Sequence, residues 1–169
     1  STMELMARAG LTHIEFGTDS LSDTVLKAYG KDFTFEDVLS TSSLARQAKI
    51  RYAHFLIMGG PEETRHTVGE ALANAKRIER TVFFPYCGMR IYPGTDLYYR
   101  SIREGFITSS TDLLHPVFYF SPHVTLEWLD TRMREFRAEK SNWVYGGPTP
   151  ELRKVMMGLR SKGVSGPLW

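Results

Sequence analysis

The feature that most constrains the fold is an alternation, repeated three times, between a short apolar run and a segment with helical periodicity. The apolar runs lie at residues 13–17, 50–58 and 82–92, and a loop containing glycine follows each of them. Near-continuous apolar strands that alternate with amphipathic helices are typical of a parallel sheet covered by helices. The sequence therefore predicts an α/β fold with three parallel β/α units.

Capping residues predict where the helices begin. Threonine precedes three of the helical segments, at positions 34, 64 and 125, and Thr34 with Asp37 forms a capping box. A first helix, Met3–Ala9, ends at Gly10, and no capping residue is apparent before it. The helix after Thr64 carries an inward stripe at i, i+3, i+4 and i+7 spacing, formed by Val68, Ala71, Leu72, Ala75 and Ile78.

The alternation stops after Gly105. Residues 106–124 are rich in aromatic residues and proline, which predicts an irregular segment wrapped over the sheet. Two helices are predicted beyond it, the second with proline at its first turn. Their predicted inward-facing residues are Leu126, Leu129, Met133 and Phe136 in the first, and Leu152, Val155, Met156 and Leu159 in the second.

Length and composition exclude several classes of protein. The 169 residues are too few for a complete eight-unit β/α barrel, which takes about 250 residues. Hydrophobic residues at 42% and charged residues at 24% are ordinary for a packed domain. The longest apolar stretch is far short of the ~20 residues of a membrane span. A single cysteine, Cys87, excludes an intrachain disulfide, and with no visible signal peptide it favours the cytoplasm.

Several kinds of active site are not indicated. The five histidines show no spacing typical of a zinc site, so no metal ligand is assigned. His54, within a strand, could point into a barrel interior, but a hydrogen-bonded core or surface histidine is the simpler interpretation, and Cys87 is expected to be a buried structural residue. Lys31 could reach an anion, although a solvated loop lysine is the simpler interpretation. The net positive charge after residue 132 lacks interleaved aromatic residues, so nucleic acid is not indicated as a partner.

The strongest site candidates are the loops that follow the three strands, at residues 17–20, 59–64 and 92–95. The carboxyl ends of parallel strands meet at one rim, where ligands bind. Glycine in these loops lets a backbone approach a ligand closely, and the second and third loops lead into helix N-termini that favour anionic groups. A tight turn between a strand and a helix also needs glycine, so each loop alone is inconclusive.

The order and spacing of three segments, residues 9–20, 55–64 and 90–95, resemble the later half of radical S-adenosylmethionine (SAM) enzymes. In that family such segments form the fourth, fifth and sixth strands of a partial, TIM-like β/α barrel. The resemblance implies that residues 1–108 are the C-terminal half of such a barrel and that residues 109–169 are an irregular segment plus a two-helix extension. Residues 88–95 and 113–122 are similar to the cobalamin-binding subset of the family, which suggests cobalamin as a cofactor of the parent protein.

The resemblance implies that SAM is the cofactor and that its cleavage yields a 5′-deoxyadenosyl radical. Asp19 and Ser20 would lie near the ribose or the methionyl end, because a carboxylate accepts hydrogen bonds from hydroxyls and pairs with an ammonium group. Ile57 would contact the adenine. The remaining implied site residues are Gly59 and Gly60, for close backbone approach, and Ile91 and Tyr92, whose backbone would pair with the adenine edge.

Three departures from the family pattern limit this interpretation. Asp19 stands where glutamate or glutamine is common, and Glu62 replaces the glycine of a Pro-Gly-Glu-Thr turn. The family binds its [4Fe–4S] cluster through three cysteines, which one cysteine cannot provide. We therefore expect the cluster, and the N-terminal half of the barrel, only in a longer parent enzyme, and we expect this chain to be inactive alone.

Two other functions are compatible with the same loops. One is a stand-alone α/β module that binds a nucleotide-like ligand without redox chemistry, and the other is a piece of an unrelated β/α barrel enzyme. In either case three parallel strands have two open edges, which favour pairing with another chain. We expect self-association, or a tail of residues 106–169 that covers an edge.

Overall fold

The computed structural model describes residues 1–167 and is an α/β structure, as the sequence predicts. Its elements follow in the order α1 (Thr2–Arg8), β1 (His13–Asp19), α2 (Asp23–Ala28), α3 (Phe35–Gln47), β2 (Arg51–Met58), α4 (Arg65–Ala75), β3 (Thr81–Cys87), β4 (Met89–Arg90), α5 (Asp96–Arg103), β5 (Phe118–Tyr119), α6 (Leu126–Glu139) and α7 (Pro150–Ser161).

The central sheet has three parallel strands in the order β1-β2-β3. Ile14 pairs with Tyr52, and Tyr52 pairs in turn with Thr81, so the three strands begin level with one another. Their carboxyl ends therefore lie at one rim of the sheet. The three β/α units predicted from the alternation are confirmed in this arrangement.

A β-bulge near the end of β1 changes which way its last residues point. The pairing runs from Phe16 with His54 directly to Asp19 with Leu56, so β1 has one residue more than β2 in this interval. Asp19 itself adopts a left-handed backbone conformation, with φ of 64°. Aspartate tolerates this conformation better than most residues. The bulge and the turn together place Asp19 at the rim.

The core lies between the helices and one face of the sheet. Side chains alternate along β2, and Tyr52, Leu56 and Met58 pack with the buried residues of α3, α4 and α6. The opposite face of the sheet carries Phe55, whose ring stacks on Phe84 at 5.0 Å between centroids. The predicted stripe of α4 is buried, and α6 buries its predicted Leu129, Met133 and Phe136, whereas Leu126 is exposed.

The capping predictions are confirmed at all three threonines. Thr34 and Thr64 form capping boxes, and the Thr125 hydroxyl accepts a hydrogen bond from the Trp128 N–H. The first helix also has a cap, contrary to the sequence interpretation, because Ser1 and Glu4 form a capping box. Each cap satisfies an N–H group that the first turn of a helix leaves without a partner.

The third apolar run does not continue as one strand through residue 92. Gly88 has φ of +88°, and beyond it β4 leaves the parallel sheet and pairs antiparallel with β5. A Cβ atom on Gly88 would lie 2.7 Å from the Phe120 ring and 3.0 Å from Cβ of Phe118, so the turn depends on glycine. Ile91 then joins a second small core with Ile107 and Tyr119.

The tail covers one edge of the sheet. This is one of two predicted outcomes for the open edges, the other being self-association. Phe83 in β3 donates its N–H to the Asn142 carbonyl and accepts the Val144 N–H, both at 2.8 Å. Trp143, between these two residues, is 1% exposed and packs on Phe83 and Phe136. The outer edge of β3 is therefore paired by the chain's own tail.

The prediction for the last helix is wrong. None of the residues of α7 is buried, and its supposedly inward-facing Leu152, Val155 and Leu159 are 43%, 57% and 38% exposed, while Met156 is only half-buried. The periodicity that predicts an apolar stripe is present, but no element within residues 1–167 covers that stripe.

Candidate functional site

A cleft of about 700 Å³ opens at the rim where the parallel strands end. One wall comes from the end of β1 and from the residues around the end of α2, the floor from the end of β2, and the other wall from β4 and α5. It is lined by Asp19, Ala28, Tyr29, Gly30, Lys31, Ile57, Pro61, Met89, Arg90, Tyr92, Thr95, Asp96, Leu97, Arg100 and Arg103.

Asp19 lies in the cleft and carries an ion pair. Its carboxylate is 2.6 Å from Lys31 Nζ, and both side chains are about three-quarters buried, at 25% exposure. A carboxylate has about four sites for accepting hydrogen bonds, so one partner leaves capacity for ligand hydroxyls. The sequence leaves two interpretations of Lys31 open, a ligand for an anion or a solvated loop residue. In the structure Asp19 positions Lys31, whose Nζ atom also lies 3.4 Å from the Gly17 carbonyl oxygen.

Ile57 and Tyr92 line the same cleft, but Ile91 does not. Ile57 is half-buried on the floor, and the Tyr92 side chain is 53% exposed on the far wall. The Ile91 side chain is buried in the second core, and its N–H donates to the Val117 carbonyl at 2.9 Å. The Ile91 N–H is therefore engaged within the protein.

The other three predicted site residues lie beneath the cleft surface. Ser20 is buried, and its hydroxyl accepts the Ser22 N–H at 3.2 Å. Gly59 has φ of +91°, and a Cβ atom there would lie 2.7 Å from Leu129. A Cβ atom on Gly60 would overlap the Tyr29 hydroxyl. Internal packing therefore already requires both glycines.

Glu63 is the most unusual group near the rim, and the sequence interpretation missed it. Its side chain is fully buried, one carboxyl oxygen accepts the Gly59 N–H at 2.7 Å, and the other has no partner within residues 1–167. Burial raises the pKa of Glu63 to about 7, although the hydrogen bond from the Gly59 N–H opposes the shift. The signal in the sequence was the second acid of the Glu-Glu pair, which stands directly before the α4 cap.

Tyr29 connects the cleft to Glu63. Its ring lines the cleft, its hydroxyl donates to the Ile57 carbonyl at 3.3 Å, and the same hydroxyl fills the space over Gly60. Burial, together with the nearby charge of Glu63, raises the Tyr29 pKa far above its usual range. Tyr29 therefore stays a neutral hydrogen-bond donor that supports the floor residue Ile57.

The loop after β2 is also held from the other side. Ser121 donates its N–H to the Gly59 carbonyl at 2.7 Å and its hydroxyl to the Glu63 carbonyl at 2.6 Å. The segment after residue 106 thus supports the rim from beneath.

His54 is a buried, hydrogen-bonded residue, one of the roles expected for it, whereas Cys87, expected to be buried, is only partly buried. The His54 ring is buried in the helix-side core, between Thr18 and Ser42 at 2.7 Å and 3.1 Å, and burial lowers its pKa to about 4. Burial also raises the pKa of the Cys87 thiol, which contacts the Tyr145 hydroxyl. Within residues 1–167, no three acidic, histidine or cysteine side chains cluster in a way that could hold a metal ion.

Three parallel β/α units with a ligand-sized cleft at their carboxyl rim define the class: this is an α/β structure of the kind that forms part of a β/α barrel. The radical SAM superfamily model matches residues 1–75, so this part of the chain is similar to that superfamily. No curated protein matches the chain significantly.

Among the solved structures that share the fold are two of one enzyme and one of another protein. The first is the cobalamin- and [4Fe–4S]-bound radical SAM methyltransferase TsrM from Kitasatospora setae. It is 20% identical with a TM-score of 0.77, and the match covers 99% of this chain and 39% of the TsrM chain. The same enzyme with tryptophan and a SAM analogue is 17% identical with a TM-score of 0.69, and the match covers 96% of this chain and 44% of that one. Elp3 from Methanocaldococcus infernus is 16% identical with a TM-score of 0.58, with 96% and 39% covered.

The chain therefore spans about two fifths of the length of the structures that it matches. In residues 1–167 no helix is both long and apolar enough to cross a membrane.

Proposed function

We propose that the chain is the SAM-positioning part of a radical SAM enzyme and that the rim cleft holds SAM. The observation that carries the proposal is that Asp19, Ile57 and Tyr92, assigned separately at the ends of three different strand segments, line one cleft. Its volume of about 700 Å³ is within the range of small-molecule sites, which is about 300–1,000 Å³.

Asp19 and Ile57 have distinct proposed roles, and the Tyr92 backbone is proposed to pair with the adenine edge. Asp19 accepts hydrogen bonds from the ribose hydroxyls while Lys31 holds its carboxylate in place. Ile57 offers an apolar surface to the adenine, supported from below by Tyr29. Ser20, Gly59 and Gly60 act indirectly, because they shape the loops beneath the cleft. SAM, when reductively cleaved, supplies a 5′-deoxyadenosyl radical; the residues of this chain bind and orient it.

The iron–sulfur cluster does not fit this chain. Its single cysteine cannot supply three thiolates, and Cys87 is engaged with Tyr145. We therefore propose that the cluster ligands and the first half of the barrel come from the rest of a longer parent, which makes this chain inactive alone. The coverage of only 39–44% of the matched structures supports the proposal. A cobalamin site in the parent is proposed on the likeness to TsrM.

The test is a titration of the ¹⁵N-labelled chain with SAM, followed by amide chemical shifts. We expect weak, saturable shifts at Asp19, Ile57 and Tyr92, because only part of the site is present. Asp19→Asn should weaken the binding about tenfold, since it removes the charged acceptor. Asp112→Asn, at an exposed acid outside the cleft, is the matched control and should leave binding unchanged.

Two results would contradict the proposal. Micromolar affinity for both SAM and adenosine would support a complete, stand-alone nucleotide-binding module. Shifts that are absent from all three strand ends, or that Asp19→Asn leaves intact, would show that the cleft does not hold SAM in the proposed way.

A further inference from the structure

The wall of the cleft formed by β4 and α5 is rich in positive charge. Asp96, Arg100 and Arg103 follow one another at i, i+4 and i+7 on α5, so they form one stripe, and all three line the cleft. Arg90, from β4, lines the same wall. Lys31 is the fourth cation, on the opposite side.

Two of these four cations are already neutralised within the protein. Lys31 pairs with Asp19 at 2.6 Å, and Arg100 pairs with Glu62 at 3.0 Å and with Glu104 at 2.6 Å. No carboxylate of residues 1–167 lies within 4.0 Å of the Arg90 or Arg103 guanidinium. Asp96, exposed at the start of α5, is the one acid of this wall.

The Arg90 side chain is held by an aromatic ring, but its hydrogen-bonding capacity is only partly used within residues 1–167. Its guanidinium lies 4.9 Å from the centroid of the Tyr92 ring, and its Nε atom is buried with no hydrogen-bond acceptor in the described part of the chain. Stacking on an aromatic ring fixes the plane of a guanidinium. Buried donors of charged groups nearly always have an acceptor in native proteins. The Arg90 side chain lines the cleft without a carboxylate partner in residues 1–167, so its charge is available to an anionic ligand.

We propose that Arg90 and Arg103 form an anion subsite that binds a carboxylate or phosphate group of a ligand in this cleft. Guanidinium groups bind such planar or multi-oxygen anions through paired hydrogen bonds. Thr95 caps α5 by accepting the Tyr98 N–H, and the start of this helix also faces the cleft and favours negative charge. The inference rests on the proposed function only in taking the cleft as the ligand site.

Inorganic pyrophosphate is the probe for the subsite, titrated into the ¹⁵N-labelled full chain and followed at the amides of Tyr92 and Leu97. We expect Arg90→Gln and Arg103→Gln each to weaken binding about tenfold, because each removes a charge-assisted hydrogen bond. Arg132→Gln, on α6 and outside the cleft, is the matched control and should change the affinity less than twofold. Arg103 is exposed, so its variant should fold normally.

A second arm identifies the source of the anion. If saturating SAM weakens pyrophosphate binding, the subsite holds the carboxylate of SAM itself; if it does not, the subsite serves an anionic second ligand, and either result supports an anion subsite. The inference is overturned if both arginine variants bind pyrophosphate as the wild type does, or if Arg132→Gln loses as much affinity. Failure of the SAM proposal is seen separately, in the response to Asp19→Asn.

Discussion

Replacement of Glu63 by glutamine tests whether the buried carboxyl group of Glu63 is uncharged in the folded chain. The side chain is fully buried, and the pKa of its carboxyl is raised from 4.5 to about 7, chiefly by burial. At 1.36 kcal/mol per pKa unit, holding this carboxylate charged in the folded state costs on the order of 3 kcal/mol. Glutamine has nearly the same shape, still accepts the Gly59 N–H and never ionises.

The sign of the pH dependence follows from proton binding. Between pH 4.5 and 7 the folded state keeps the Glu63 proton that the unfolded state releases, so the free energy of unfolding falls as pH rises through this range. His54 acts in the opposite direction, because burial lowers its pKa from 6.5 to about 4 and the unfolded state binds the extra proton. Stability from His54 is lost as pH falls from 6.5 to 4. The two contributions oppose each other between pH 4.5 and 6.5, so the difference between the wild type and Glu63→Gln, rather than the wild-type curve alone, isolates the contribution of Glu63.

The assay is urea unfolding of the wild type and of Glu63→Gln at pH 4.5, 6 and 8. We expect equal stability at pH 4.5 and an advantage of about 3 kcal/mol for the variant at pH 8. Glu135→Gln, which alters an exposed ion pair with Arg132, should stay within about 0.5 kcal/mol of the wild type at every pH. Parallel curves for the wild type and Glu63→Gln would refute the reasoning, since they would mean that Glu63 ionises equally easily when folded.

Three further predictions concern the elements around the site. Glu62 has φ of +61°, so Glu62→Gly should be about 1 kcal/mol more stable than Glu62→Ala in urea unfolding, both having lost the ion pair with Arg100. Val144→Pro removes the N–H that pairs with Phe83 and should expose the edge of β3, shifting the chain toward dimers in light scattering. Cys87, whose thiol pKa is raised by burial, should react with iodoacetamide at pH 8 far more slowly in the folded chain than in urea.

Each of these has a contrasting outcome. Equal stability of the glycine and alanine variants would show that the turn after Pro61 does not strain Glu62. Val164→Pro, beyond the last helix, is the control for the edge and should leave the molecular mass unchanged; a Val144→Pro chain that stays monomeric would mean that β3 is protected in another way. Equal alkylation rates in buffer and urea would contradict the burial of Cys87.

The sequence predicts those parts of the fold in which local pattern and tertiary environment agree. Threonine caps at Thr34, Thr64 and Thr125 satisfy N–H groups within their own helices, so no distant residue is needed to predict them. The stripe of α7 shows the opposite case. Periodicity predicts an apolar face at Leu152 and Val155, but whether that face is covered depends on another element, and none within residues 1–167 packs on it.

The site was predictable only in part for a related reason. Asp19 and Ile57 could be placed at one rim because parallel strands end together. The bulge that redirects the end of β1 was not predicted, although an isolated glycine within a strand, here Gly17, often marks a bulge. Glu63 was missed because a glutamate in a polar loop is ordinarily solvated. Its surroundings include Tyr29 and Ser121, which lie 34 and 58 residues away along the chain, so its environment depends on distant segments.

The rim glycines show why a motif can be in the right place for a different physical reason. The sequence assigns Gly59 and Gly60 to close approach by a ligand, but a Cβ atom at either position would first meet Leu129 or Tyr29. These side chains pack the loop from the protein side, so the glycines are required even with no ligand present. Their effect on a ligand is indirect: close packing fixes the loop, and the fixed loop holds Ile57 on the floor of the cleft.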